Sequence, residues 1–142
     1  MMWAGLTTVL AIHEEQIAEH GGSSGVRDHG LLSSALDRPK NIAAYETDDN
    51  HDLSRLGAAY GYGIAKNHPF IDGNKRTALV VTETFLNLNG LDLTADDATC
   101  VAVIQAVADG TMNEEKFACW IKESSERLKP PLKPRSELDA GP

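Results

Sequence analysis

The 142-residue chain is short of positive charge: 13 lysines and arginines stand against 21 aspartates and glutamates, a formal net charge of −8. A nucleic-acid binder neutralises phosphates with clustered basic side chains, so direct nucleic-acid binding is excluded as its business. Cysteine is scarce as well. Cys100 and Cys119 are the only two, far apart and without CxxC spacing, and a disulfide between them is not expected in a chain without an export signal. Cys100 shares an apolar helix face with Val103, Ile104 and Val107, which reads as a small core residue. No apolar run approaches the roughly 20 residues of a membrane span. The opening MMWAGLTTVLAIHEEQ has no basic n-region and runs into acid, so the expected destination is the cytoplasm.

Strand alternation is missing too, whereas helical signals recur. Apolar residues make up 42% and charged residues 24%, enough for one domain with a real core. A first helix is expected from Thr7 or Thr8 to Glu19, with threonine as N-cap and Gly21–Gly22 as its end. Asp28 caps a second through LLSSALDR, which Pro39 should stop. Residues 39–52 show no helical period and read as a long loop or small hairpin, a length typical of functional or mobile segments. Asp52 or Ser54 opens a third helix to Asn67, whose Gly57, Gly61 and Gly63 make sense only where another helix packs closely. A fourth, Gly73–Asn74 to Asn89, is apolar on most sides and is placed at the centre. A fifth follows Thr94 and the pair Asp96–Asp97 to Asp109, and a sixth follows Asn113 with Phe117, Trp120, Ile121, Ser124 and Leu128 in helical period. The fold class is therefore all-α: about six helices around a central buried one, over residues 1–128. The proline- and charge-rich 129–142 is expected to be a disordered tail.

What stands out is HPFIDGNKR, residues 68 to 76, aimed at the start of that fourth helix. Asp-Gly-Asn is a turn signal in any protein, and Lys75 with Arg76 could be a solvated pair. Neither accounts for so many polar residues where a loop meets a buried helix. The first turn of a helix has unpaired N–H groups and a positive dipole end, and so attracts phosphate. Gly73 admits close approach, and Lys75 and Arg76 add full charges. Asp72 would repel phosphate unless a cation sat between them, and Mg²⁺ held by one carboxylate plus substrate phosphates meets that need. His68 can accept a proton from an attacking hydroxyl near neutral pH. These are the parts of a phosphate-transfer site.

The same residues resemble the Fic/Doc signature, HxFx(D/E)(G/A)N(G/K)R. HEEQIAEHGGSSGVRDHGLLSSALDRP upstream and FLNLNGLDL downstream look like its death-on-curing branch, so the resemblance covers roughly residues 7 to 125. It implies an all-α core, His68 as base, Asp72 as Mg²⁺ ligand, and Gly73, Asn74, Lys75 and Arg76 around the phosphates of ATP, with Phe70 structural. Adenylylating members usually carry glycine where this chain has Lys75, and a second arginine where it has Leu79. Doc-type members share both departures. The resemblance then implies transfer of the γ-phosphate to a Thr or Ser of a protein, with a translation elongation factor as target class and growth arrest as outcome. The 39–52 stretch would be the flap that presents the target. No glutamate here is followed by glycine or asparagine, so the self-inhibitory (S/T)xxxE(G/N) pattern is absent and a separately encoded antitoxin is the implied partner.

Other readings compete. Adenylylation shares the whole motif, a non-enzymatic interaction protein could keep the fold, and a metal-dependent phosphohydrolase would need more ligands than one loop offers. His13 and His20 share a helix face, yet no third ligand stands at recognisable spacing, so His13 reads as a packed or hydrogen-bonded histidine near the site. Tyr60 and Tyr62 read as packing residues. Arg27, Asp28 and Arg38 read as capping and ion-pairing residues, with target contact as the weaker option.

Overall fold

In a computed structural model, which describes residues 1–46 and 51–128, six helices follow one another: α1 (Leu6–His20), α2 (His29–Ala44), α3 (Leu53–Asn67), α4 (Asn74–Leu88), α5 (Asp97–Asp109) and α6 (Glu114–Glu123). The innermost is α3, which buries ten of its 15 residues and packs against α2, α4, α5 and α6. α4 buries seven of 15, so the central buried helix expected from sequence exists but is the third, with the fourth beside it. The reason lies in side-chain size. A Cβ on Gly61 would sit 2.5 Å from Thr82 Oγ1 and 2.8 Å from Phe117, one on Gly57 3.2 Å from Leu86, and one on Gly63 3.2 Å from Ala35. The three glycines therefore let α4, α6 and α2 approach α3 closely. Among the described residues no helix is long and apolar enough to cross a membrane.

Asp28, Asp52, Asp96 and Asn113 cap α2, α3, α5 and α6 through side-chain oxygens, as the capping signals predict. Other expectations fail. α1 starts at Leu6 behind Gly5, with no side-chain cap, because tertiary contacts anchor it. The buried Tyr60 hydroxyl accepts from the Ala4 N–H at 3.0 Å and donates to the Ala4 carbonyl at 3.2 Å. α2 continues through Pro39 to Ala44. Proline removes one helical hydrogen bond, but Leu36, Pro39 and Ala43 lie on the buried face, and their burial offsets that loss. Residues 39–44 of the expected 39–52 loop are thus helix. Tyr45 and Glu46 follow it, residues 47–50 lie outside the described residues, and His51–Asp52 lead into α3.

The last correction is a pair of short strands, β1 (Leu91–Leu93) and β2 (Ser125–Arg127), antiparallel with Leu91 opposite Arg127 and Leu93 opposite Ser125. α6 ends at Glu123 rather than running to Leu128, because the Ser124 carbonyl accepts from both the backbone N–H (2.8 Å) and hydroxyl (3.1 Å) of Thr94. The expected 129–142 tail lies outside the described residues. Both cysteines are free, Cys100 buried and Cys119 exposed.

Candidate functional site

The chain leaves α3 at His68, whose φ of 53° puts it in the left-handed region and reverses the backbone. It is the one non-glycine residue with positive φ among the described residues. Such a conformation costs roughly 1–2 kcal/mol and needs external support. Arg27 supplies it: Nε donates to the His68 carbonyl at 2.8 Å and Nη2 to the Asn67 carbonyl at 3.0 Å.

Three further contacts tie the loop to the segment before α2. Arg27 and Asp28 N–H groups donate to the Pro69 carbonyl (2.7 and 3.1 Å), and the Ile71 N–H donates to the Gly25 carbonyl at 3.1 Å. Phe70 is fully buried and pairs with Val26 in an isolated antiparallel bridge. From the other side, Asn74 Oδ1 accepts from the Phe70 N–H and Nδ2 donates to the Phe70 carbonyl, both at 2.9 Å. Contacts within the chain thus hold the loop from both sides.

α4 begins behind Gly73, whose φ of 75° is left-handed and which offers no capping side chain. The first bond of the helix runs from the Thr77 N–H to the Gly73 carbonyl at 3.0 Å, so the N–H groups of Asn74, Lys75 and Arg76 lie at the open helix end. An anion, not a side chain, is the natural partner for this terminus. Here a cleft of about 350 Å³ is lined by Gly21, His68, Asp72, Gly73, Asn74, Lys75 and Arg76. All six residues singled out in the sequence share it. The Asn74 side chain is committed to Phe70, leaving only its backbone N–H for the cleft. His68, Asp72, Lys75 and Arg76 are exposed.

Asp72 is oriented from two sides. Its Oδ2 accepts from the Ser23 N–H at 3.0 Å, and its backbone carbonyl accepts from His13 Nε2 at 2.8 Å. A Cβ on Gly22 would lie 3.2 Å from the Asp72 Cβ, which is why the approaching loop has glycine there. Among the described residues no three His, Cys, Asp or Glu side chains converge into a metal cage. One exposed carboxylate beside an anion site instead fits Mg²⁺, which keeps waters and shares phosphate oxygens. Asp109, at the end of α5, has its carboxyl held below the ordinary range, first by hydrogen bonds from Thr111 and further by the charges of Lys66 and Lys75. Lys75 thus carries its charge in the field of a nearby acid.

Sequence reasoning reaches every residue of the motif and misses its supports. His13 is expected near the site, but its bond to Asp72 has no sequence signal. Arg27 braces carbonyls rather than an acid, while Asp28 caps α2 and Arg38 ion-pairs with Glu114, as expected. Tyr60 and Tyr62 pack, with the Arg38 guanidinium 5.3 Å over the Tyr62 ring. A second groove, of about 650 Å³, is lined by Arg38, Ile42, Tyr45, Arg55, Tyr62 and Asn67, among others, and Asn67 is the residue before His68.

The class of protein these features define is an all-α scaffold in which a loop brings one histidine and one carboxylate to an open helix N-terminus, a donor set that suits phosphate. Residues 3–86 match the model of the Fic/DOC family. The chain belongs to that family. It is similar to "Toxin Doc" of Mycolicibacterium smegmatis, 45% identical over 76 residues, 54% of this chain and 58% of that protein. It is also similar to "Protein kinase doc" of Escherichia phage P1, 34% identical over 110 residues, 71% of this chain and 86% of that protein. The match therefore spans little more than half the length of the first relative and most of the second.

Proposed function

We propose that the protein is a Doc-type toxin: a protein Ser/Thr kinase that transfers the γ-phosphate of ATP to a hydroxyl of a protein target in the cytoplasm, arresting growth. The observation that carries the kinase reading is Lys75 together with Leu79 in an otherwise complete motif. Leu79 is packed against the core, so no cation extends from that position toward the distal phosphates, as it would in an adenylylating member. The name of the phage relative, a protein kinase, supports the same reading.

His68 lines the cleft and takes the proton of the attacking hydroxyl. As the new oxygen–phosphorus bond forms, the bond to the ADP leaving group breaks. The open N–H groups of α4, with Lys75 and Arg76, hold and neutralise the phosphates. Asp72 would hold Mg²⁺, which offsets phosphate charge when bound. The groove beside Asn67 is the natural path for the target segment, a translation elongation factor being the target class. A separately encoded antitoxin is the partner expected to silence the site.

Incubating the protein with elongation factor and ATP labelled at the α- or γ-phosphate tests this. Label from the γ-position, lost in His68→Ala, is expected. Transfer of α-label would mean nucleotide transfer, and no transfer of either label would favour a non-catalytic interaction protein.

A further inference from the structure

We infer that His13, on α1, is a positioning residue of the phosphate site, setting the Asp72–Gly73 peptide so that the Asp72 carboxylate and the Gly73 N–H both serve the bound ligand. His13 lies outside the motif and is 1% exposed. Its ring stacks on Phe70 with centroids 3.9 Å apart and planes 8° from parallel. Its Nε2 meets the Asp72 carbonyl at 2.8 Å, and because a carbonyl only accepts, that nitrogen carries the proton. The same Nε2 is 3.8 Å from where a Gly73 Cβ would stand. The ring thus fills the floor beneath the turn.

In a trans peptide the C=O and the following N–H point in opposite directions. With the Asp72 carbonyl drawn toward His13, the Gly73 N–H is turned away from it. Gly73 lines the cleft, and its N–H finds no acceptor among the described residues. It is a further unpaired donor beside those of Asn74, Lys75 and Arg76. At the same time the Asp72 side chain is left to meet the Ser23 N–H at the cleft rim. A flat ring with a donor at its far tip is the shape that both stacks on Phe70 and reaches Asp72. Phenylalanine would keep the stack and lose the donor, whereas glutamine keeps a donor and loses the stack.

The inference rests on Asp72 and Gly73 serving the phosphate site proposed above, and two independent readouts separate the claims. In calorimetric titration with ADP and Mg²⁺, His13→Phe should bind about tenfold more weakly than wild type at an unchanged unfolding temperature. His13→Gln should recover affinity to within about threefold. In the labelled-ATP assay, His13→Phe should raise KM about tenfold with kcat changed far less. The Gly73 amide resonance of the wild type should shift on ADP–Mg²⁺ addition and lose that shift in His13→Phe. Wild-type binding by His13→Phe, or equal weakness of the Phe and Gln variants, would overturn the inference, because the donor would then not matter. Absence of label transfer by the wild type would overturn the kinase reading alone, since the calorimetric and amide measurements need no catalysis.

Discussion

At the scale of single residues, the site divides into groups that face the cleft and groups that hold them there. His68 and Asp72 are adjacent in sequence to what they act with, so their chemistry is legible in nine letters. Their supports come from residues 41 to 59 positions away, Arg27, Ser23 and His13, and no local pattern marks such partners. Asn74 shows how tightly the support is drawn. It is 3% exposed, and its amide both accepts from and donates to Phe70. Asn74→Asp would set a carboxylate oxygen against the Phe70 carbonyl, trading a hydrogen bond for repulsion in a buried place. A loss of about 3 kcal/mol is expected, read as a lower midpoint in denaturant unfolding with an unchanged slope. Arg27 acts on conformation rather than charge, holding two successive carbonyls where the chain turns left-handed. Arg27→Lys keeps the charge but cannot fork, so a roughly tenfold fall in kcat is expected together with a loss of about 1 kcal/mol of stability. Wild-type kcat in Arg27→Lys would show that the left-handed turn needs no such brace.

At the scale of elements, capping and periodicity carry most of what the sequence makes legible, because they are local. Asp28, Asp52, Asp96 and Asn113 start their helices as expected, and Gly21 and Gly110, at φ of 83° and 89°, end theirs. The expectations that fail are decided by distant contacts. Pro39 is a stop signal only until Leu36 and Ala43 are buried with it. Ser125–Arg127 is a strand only because Leu91–Leu93 lies alongside. Tyr60 anchors the start of α1 from the middle of α3. The glycines of α3 are the reverse case, since their cost in helix propensity by itself points to close packing. Gly61→Ala tests this reading most sharply. The helical conformation suits alanine, so propensity alone would add roughly 1 kcal/mol of stability. The added methyl would instead meet Thr82 Oγ1 at 2.5 Å and Phe117 at 2.8 Å, on both neighbouring helices. Overpacking should win, with a net loss of about 2 kcal/mol. Stabilisation would mean that α4 and α6 can move apart freely.

At the scale of the whole molecule, the −8 charge is concentrated unevenly. In the β1–β2 pair Asp92 faces Glu126, a like-charge pairing that weakens a short ladder. Nearby on α4, Glu83 is half-buried, and burial first, then the charges of Asp97 and Asp92, raise its carboxyl above the ordinary value of 4.5. The folded protein therefore keeps this proton at a pH where the unfolded chain has lost it. The stability this contributes is present in full below pH 4.5 and is lost as pH rises through the raised folded value. Asp96 and Asp109 run the other way. Backbone and side-chain hydrogen bonds from Thr99 and Thr111 lower their carboxyls, so their stabilisation is present above the ordinary value of 3.8 and lost as pH falls through the folded one. Glu83 is thus the group whose charge works against the fold near neutrality. Glu83→Gln keeps the shape and removes the titration. Its unfolding temperature should exceed the wild type's at pH 7 to 8, with the gap closing toward about pH 4, where the wild-type carboxyl is protonated in both states. Added salt should narrow the gap at pH 7 by screening Asp92 and Asp97. Thermal unfolding across that pH range decides it, because a gap that stayed constant with pH would trace to packing and not to the charge on Glu83.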